Sequence, residues 1–168
     1  MDAALAHAAG ARFHCDAVQA AGRVPIDVQQ LGVDLLTLSA HKLAGPKGVG
    51  ALYCRATTPA AGRSAPAAAL ALAPLLVGGQ QEKGRRAGTE NVPGIVGFGV
   101  ACKLARSRLA SAAPQVAALR DRLEAAILAA APGARVNVHD EPRLWNTAAA
   151  LFPHQECQQR WVVKLDRQ

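Results

Sequence analysis

Two apolar runs, joined by a short polar and glycine-rich segment, constrain the fold of this chain more than any other feature. The runs cover residues 33–38 and 49–54, and the segment between them contains SAHK at 39–42. Apolar runs of this length, bounded by glycine, predict strands. The end of the first strand therefore presents a hydroxyl, an imidazole and an amine on a rigid scaffold, a position that suits chemistry.

The residues before this unit also alternate between strand and helix. A helix is predicted at 3–9, and a strand at 11–15 leads into the polar segment 16–19. Asp27 is a candidate cap for a short helix at 28–31. This alternation favours an α/β sheet whose faces are covered by helices.

The second half of the chain predicts more helix than strand. Pro93 and Pro114 each fit the first turn of a helix, where a proline needs no backbone donor. A shift in composition near residue 111 predicts a boundary between one domain at 1–110 and a second at 111–168. The expected elements are a loop at 56–74, a strand at 75–77, a polar loop at 78–91, helices at 93–109 and from 114 to the glycine at 133, strands at 134–138 and 147–152, and a helix at 158–168.

Charge and cysteine content narrow the function classes. The net charge is +7 with a pI near 9.8, but the basic residues are scattered, which is typical of a solvated surface. We therefore expect no nucleic-acid partner; a non-enzymatic basic binding module remains the alternative, and a steep salt dependence of DNA binding would reveal it.

The four cysteines lack the spacing of a zinc site, so no metal is expected. The start of the chain lacks the basic region of a signal peptide, which predicts a cytoplasmic protein without membrane contact.

A lysine at the end of a buried strand is partly desolvated, which favours the neutral amine that forms an imine with a carbonyl. Pyridoxal 5'-phosphate (PLP) needs such a lysine, a carboxylate beside its pyridine nitrogen, a donor near its phenolic oxygen and several donors for its phosphate. Each residue alone would be a weak indicator, but together they provide a match for every role: Lys42, Asp16, Gln19, Ser39 and His41.

These residues lie in longer motifs that resemble the cysteine desulfurase/selenocysteine lyase group, which are class V aminotransferase-like, PLP-dependent enzymes of fold type I. The motif around the lysine reads GVDLLTLSAHK at 32–42, and RAGTEN at 86–91 favours the desulfurase group over other aminotransferases. The resemblance implies part of the large domain, a three-layer αβα fold with a mainly parallel sheet, plus the start of the small C-terminal α+β domain. The resembling segments occur in the family's order at 16–27, 32–42, 45–53, 78–82, 86–97 and 144–147.

The resemblance also implies a role for each matched residue. Lys42 corresponds to the lysine that binds PLP as an imine and then moves a proton as a general base. Asp16 corresponds to the partner of the pyridine nitrogen, and Gln19 to the residue that bonds the phenolic oxygen. Ser39 and His41 correspond to phosphate ligands.

The partners implied by the resemblance are a second subunit, a substrate and a sulfur acceptor. Thr89 corresponds to the residue that reaches the phosphate of the neighbouring subunit in a homodimer. The expected substrate is L-cysteine, which becomes alanine as its sulfur passes to an enzyme cysteine as a persulfide. The sulfur then serves iron–sulfur cluster assembly or another delivery route through an acceptor scaffold protein. Selenocysteine lyase and other class V aminotransferase-like enzymes remain alternatives.

Some parts of the family pattern have no match in this chain. The family places a glycine/threonine phosphate loop and a ring-stacking histidine before the position of Asp16. It places the nucleophilic cysteine and the arginine that holds the substrate carboxylate after a segment resembling 162–166. Cys157 precedes that segment and is interpreted as a bystander. We therefore expect a fragment that keeps the cofactor-binding half of the mechanism and is inactive alone.

Overall fold

The computed structural model describes residues 3–55, 72–138 and 141–153 of the 168-residue chain. Within these residues, one short helix and three short strands come first, and one long helix follows. In chain order the elements are α1 (Ala3–Ala8), β1 (His14–Asp16), β2 (Leu35–Ser39), a 3-10 turn (Ala40–Leu43), β3 (Gly50–Cys54), a second 3-10 turn (Gln81–Gly84), α2 (Val92–Ala130), β4 (Arg135–Val136) and β5 (Ala150–Leu151).

The larger sheet within the described residues has the strand order β1-β2-β3. Strands β1 and β2 are parallel, with Asp16 opposite Thr37. Strands β2 and β3 are antiparallel, with Ser39 opposite Gly50. Because β1 and β2 run in the same direction, the residues that follow their carboxyl ends emerge at one edge of the sheet.

A small apolar core lies against this sheet. Ala17, Val33 and Leu36 form its buried centre, and Phe13 and Tyr53 are among the partly buried side chains that pack on them. Val33 is fully buried and Leu36 is 2% exposed. Since side chains alternate between the faces of a strand, Leu36 points into this core while its neighbours in β2 are less buried. The core therefore fixes the strand that leads to the SAHK segment.

The chain divides into two compact units, Met1–Ser107 and Arg108–Gln168. In the second unit β4 and β5 pair antiparallel, with Arg135 opposite Leu151. Two arginines attach the 143–147 segment to the carboxyl half of α2: Arg120 donates to the carbonyl oxygen of Leu144 at 3.1 Å, and Arg143 bonds the carboxylate of Glu124. Glu124 is 2% exposed, so this ion pair is buried on its acidic side.

The prediction of two helices in the second half was wrong in one respect. A single helix, α2, runs through Pro114 without a break. Pro114 cannot donate the hydrogen bond that a helix makes to the carbonyl of residue 110. The alanines before and after it have the highest helix propensity, and they allow the helix to continue across the missing bond.

Two short elements were also predicted wrongly. Residues 75–77 form an exposed bend rather than a strand; Leu75 is 94% exposed, with no neighbouring strand within the described residues. Residues 28–31 form a turn instead of a helix, although Asp27 does cap it: its Oδ1 accepts the backbone N–H groups of residues 29 and 30 at 2.8 and 3.2 Å. The predicted helix at 158–168 and most of the predicted loop at 56–74 lie outside the described residues. Among the helices that are described, none has the length and apolar character needed to span a membrane.

Candidate functional site

Lys42 lies in the 3-10 turn that directly follows β2. Ala40 at the start of this turn is fully buried, and its N–H donates to the carbonyl of Val49 at 3.0 Å. At the other end, Ala44 is left-handed with φ 59°, and the N–H of Gly45 returns to the carbonyl of Ala40 at 2.9 Å. Both ends of the turn are therefore held by backbone bonds, and Lys42 between them is half-buried.

The glycine at position 45 is required by close packing. A Cβ atom there would lie 2.9 Å from the carbonyl oxygen of Ala40 and 3.0 Å from the Cβ of Ala101 on α2. Any side chain at Gly45 would push the turn away from the helix. The absence of a side chain at Gly45 thus lets the backbone after Lys42 lie close to Ala101 of α2.

Ser39 and His41 are joined to each other across the start of the same turn. The Ser39 Oγ and His41 Nδ1 atoms are 2.8 Å apart, and the His41 ring is exposed. This bond orients the imidazole beside the hydroxyl. An anion at this edge of the sheet would meet both groups together.

Asp16 is the last residue of the neighbouring strand, β1, and Gln19 lies just beyond it. The Asp16 Oδ1 accepts the N–H of Val18 at 3.0 Å, and the Asp16 side chain is exposed. The N–H of Ala17, the residue after Asp16, donates to the carbonyl of Thr37 in β2 at 3.1 Å. This bond connects the turn after β1 to β2, the strand that leads into the Lys42-containing 3-10 turn (called the lysine turn below). Gln19 is also exposed. Five of the six residues identified from the sequence thus lie at, or just beyond, the carboxyl ends of the paired strands β1 and β2.

Thr89 lies elsewhere in the first unit. It lines a pocket of about 240 Å³ with Gly48, Gly50, Glu82 and Arg86 among its neighbours. The lining includes none of the other five residues identified from the sequence. Two lining residues, Val49 and Gly50, are bonded to or paired with Ala40 and Ser39, so the pocket of Thr89 borders the strand end from which the Lys42 turn starts.

The loop that carries Thr89 contains three consecutive residues with a left-handed backbone conformation. Glu82 and Lys83 are left-handed, with φ 51° and 58°, and Gly84 continues this conformation with φ 76°. The Gln81 Oε1 accepts the N–H of Gly88 at 3.2 Å and closes the loop. Two consecutive non-glycine residues in this region are strained, because their Cβ atoms crowd the following carbonyl.

The sequence interpretation missed Asp34, a buried carboxylate just before β2. Asp34 is 5% exposed; its Oδ2 accepts the N–H of Phe13 at 2.9 Å and lies 2.9 Å from the Nε2 of His7. Arg12 and Arg55 approach its Oδ1 at 3.9 and 4.0 Å. The bond from the Phe13 amide, together with His7 and Arg12, lowers the pKa of Asp34, although burial opposes that shift. The signal in the sequence was an acidic residue inside an apolar run, since a buried carboxylate requires partners.

The cysteines and metal-binding side chains of the described residues form no further reactive centre. Cys15, Cys54 and Cys102 are half-buried free thiols, and burial raises the pKa of Cys102. A raised pKa reduces the thiolate fraction and hence the reactivity of that thiol. Within residues 3–55, 72–138 and 141–153, no group of three or more His, Cys, Asp or Glu side chains could hold a metal ion. Cys157 lies outside these ranges.

Comparisons with known proteins agree on one family. The class-V aminotransferase family model matches residues 3–166. A cysteine desulfurase from Gluconacetobacter diazotrophicus is 50% identical over 150 residues, which is 89% of this chain and 34% of that protein. A cysteine desulfurase from Cereibacter sphaeroides is 49% identical over 165 residues, covering 98% of this chain and 38% of that protein. The chain thus spans little more than a third of the length of the curated relatives it matches.

Solved structures show the same likeness in three dimensions. A NifS-like protein from Rickettsia africae superposes with a TM-score of 0.77 at 31% identity, covering 93% of this chain and 40% of that chain. A structure of SspA in complex with cysteine superposes with a TM-score of 0.67, also at 31% identity, covering 96% and 41%. The fold class inferred from the motifs is therefore confirmed.

Proposed function

This chain belongs to the class-V aminotransferase family, and we propose that it forms the lysine-bearing, PLP-binding part of a cysteine desulfurase. One observation carries the proposal: the Lys42 turn and the Asp16–Gln19 segment lie at the carboxyl ends of adjacent parallel strands, at the same edge of the sheet. Ligands of open α/β sheets bind beyond the carboxyl ends of the strands, which is where these side chains lie. The desulfurase relatives at 50% and 49% identity support this activity over that of other family members.

The donor set at this edge fits PLP, the cofactor that members of the family use. Asp16 offers an exposed carboxylate for the pyridine nitrogen, and Gln19 an exposed amide for the phenolic oxygen. The Ser39 hydroxyl and the His41 imidazole, already paired at 2.8 Å, suit a phosphate. When bound, PLP supplies an electron sink for reactions at the α-carbon of the amino acid substrate.

The residues of this chain would hold the cofactor and move a proton. The tight 3-10 turn and the buried Ala40 fix the backbone of Lys42, so its amine is the group that would attach the cofactor and later act as a base. Asp16 would keep the pyridine nitrogen protonated. Thr89 would reach a phosphate in a neighbouring subunit, the role that the resemblance implies for it.

The relatives support the proposed substrate, whereas the proposed partners rest on the family resemblance alone. We propose L-cysteine as the substrate of the whole enzyme, since the matched relatives are cysteine desulfurases and one structural neighbour is complexed with cysteine. Selenocysteine remains the alternative substrate. The whole enzyme would act as a cytoplasmic homodimer that transfers sulfur to an acceptor scaffold, for iron–sulfur cluster assembly or another sulfur delivery route. The domain boundary belongs to the same proposal, with a PLP-binding domain at 1–110 and a second at 111–168.

Trapping the cofactor on its lysine tests this proposal directly. The purified chain would be mixed with PLP, reduced with borohydride, digested and mapped by mass spectrometry. We expect the label on Lys42 and its loss in Lys42→Ala. Lys47→Ala is the matched control, because Lys47 is an exposed lysine in the glycine-rich segment between the Lys42 turn and β3. Equal labelling of several lysines, or labelling that survives Lys42→Ala, would contradict the proposal.

A further inference from the structure

The segment at Gly22 and Arg23 lies against the turn that carries Lys42. Gly22 is left-handed with φ 72°, and a Cβ atom there would lie 2.5 Å from the Cδ2 of Leu43 and 3.2 Å from the Cβ of Ala105. Leu43 is the residue next to Lys42 in the 3-10 turn. The absence of a side chain at Gly22 therefore lets the backbone before Arg23 approach the lysine turn closely.

One guanidinium group then bonds to both candidate cofactor-binding turns. The Nη1 of Arg23 donates to the carbonyl oxygen of Gln19 at 2.8 Å. Its Nη2 donates to the carbonyl oxygen of Lys42 at 3.5 Å. Arg23 is half-buried; its bond to Lys42 is partly shielded from solvent, whereas its bond to Gln19 is exposed.

The chemistry of arginine suits this position. The last carbonyl groups of a helical turn have no partner within the turn and carry partial negative charge, which a nearby basic side chain stabilises. The planar guanidinium holds two acceptors in a fixed geometry, whereas a lysine ammonium is a point donor on a flexible stem. The bond from Arg23 to Lys42 thus acts on the backbone that directs the lysine side chain.

We propose that Arg23 is a positioning residue, which fixes the backbone of Lys42 relative to the Gln19 turn so that both side chains face one bound molecule. The part of this inference that concerns PLP rests on the proposed function. The mechanical part does not, because the two hydrogen bonds exist in the chain without a cofactor. Arg23 itself need not touch the cofactor.

Amide hydrogen exchange on the cofactor-free chain tests the mechanical part. Arg23→Met should raise exchange of the Ala44 and Gly45 amides, which both bond to the Ala40 carbonyl, by roughly fivefold to tenfold, the factor that corresponds to one lost hydrogen bond. The Ala17 amide, bonded to Thr37 in β2, should keep its protection. Arg23→Lys should raise exchange at Ala44 and Gly45 by an intermediate factor. Arg106→Met, at an exposed position on α2, should leave exchange unchanged at all three amides. The inference would be overturned if Arg23→Met left exchange at 44 and 45 unchanged. It would also be overturned if Arg23→Met raised exchange at Ala17 as much as at 44 and 45, and Arg23→Lys gave the same rise.

PLP attachment separates this inference from the proposed function. In borohydride trapping, Arg23→Met should need several-fold more PLP than the unmodified chain for half-maximal labelling of Lys42, and Arg23→Lys should restore part of the difference. Equal PLP requirements in all three chains would overturn the positioning role. If the unmodified chain takes no label at Lys42, the proposed function fails, and the exchange experiment alone then decides whether Arg23 orders the turn.

Discussion

Replacing Asp34 provides the sharpest test of what holds the first unit together. Its carboxylate accepts the Phe13 amide at 2.9 Å and lies 2.9 Å from His7, with a residue exposure of 5%. A hydrogen bond to a charged group contributes about 1.5–3 kcal/mol net, and the His7 pair, whose imidazole is 40% exposed, adds about 0–1 kcal/mol. Asp34→Ala should therefore lower the free energy of unfolding by about 1.5–4 kcal/mol.

Urea unfolding followed by circular dichroism measures this loss. Asp27→Ala is the matched control, because Asp27 also accepts two backbone N–H groups but is exposed. The control should lose about 1 kcal/mol or less, as for an ordinary cap. If Asp34→Ala is no less stable than Asp27→Ala, the carboxylate does not join α1, β1 and β2 as the structure indicates.

The same carboxylate predicts a dependence on pH. The pKa of Asp34 is lowered from its ordinary value of 3.8, chiefly by the bond from the Phe13 amide. A group whose pKa is depressed by folding stabilises the protein above its unfolded pKa and loses that contribution as the pH falls through its folded pKa. The gap in unfolding free energy between the unmodified chain and Asp34→Asn should therefore be full at pH 7 and shrink below about pH 4. An equal gap at both pH values would refute this reasoning.

Two further substitutions test the core and the second unit. Leu36→Ala should cost about 2–5 kcal/mol in urea unfolding because Leu36 is 2% exposed, whereas Leu119→Ala, at a site that is 57% exposed, should cost about 1 kcal/mol or less. Glu124→Gln should lower the melting temperature more than Asp121→Asn, since Glu124 holds Arg143 from a buried position and Asp121 is exposed; equal shifts would argue against a buried ion pair.

The strands around the lysine turn could be predicted from the sequence because their signals are local. The apolar run at 33–38 overlaps β2, the run at 49–54 contains β3, and the strand predicted at 11–15 overlaps β1. The resemblance to cysteine desulfurases is confirmed, because long motifs in a fixed order carry far more information than any single residue. The roles assigned to Lys42 and its neighbours stay predictions.

What could not be predicted depends on contacts between distant residues. The segment at 75–77 is apolar enough for a strand, but a strand needs a partner, and no local pattern reveals one. Asp34 acquires its partners from residues 7, 12 and 55, which no spacing rule connects. Arg23 acts on backbone carbonyls, which every residue has, so its contacts leave no mark on the sequence of the residues it binds.

The left-handed backbone at residues 82–84 sets the mutational tolerance of the loop around Thr89. Glycine adopts this conformation without penalty, and asparagine and aspartate do so more readily than other residues, whereas a β-branched side chain is severely disfavoured. A saturation library at Glu82 and Lys83, both left-handed, should therefore keep glycine, asparagine and aspartate variants folded and lose valine and isoleucine. Natural variation in this loop would be limited first by backbone shape and only then by the charge of its side chains.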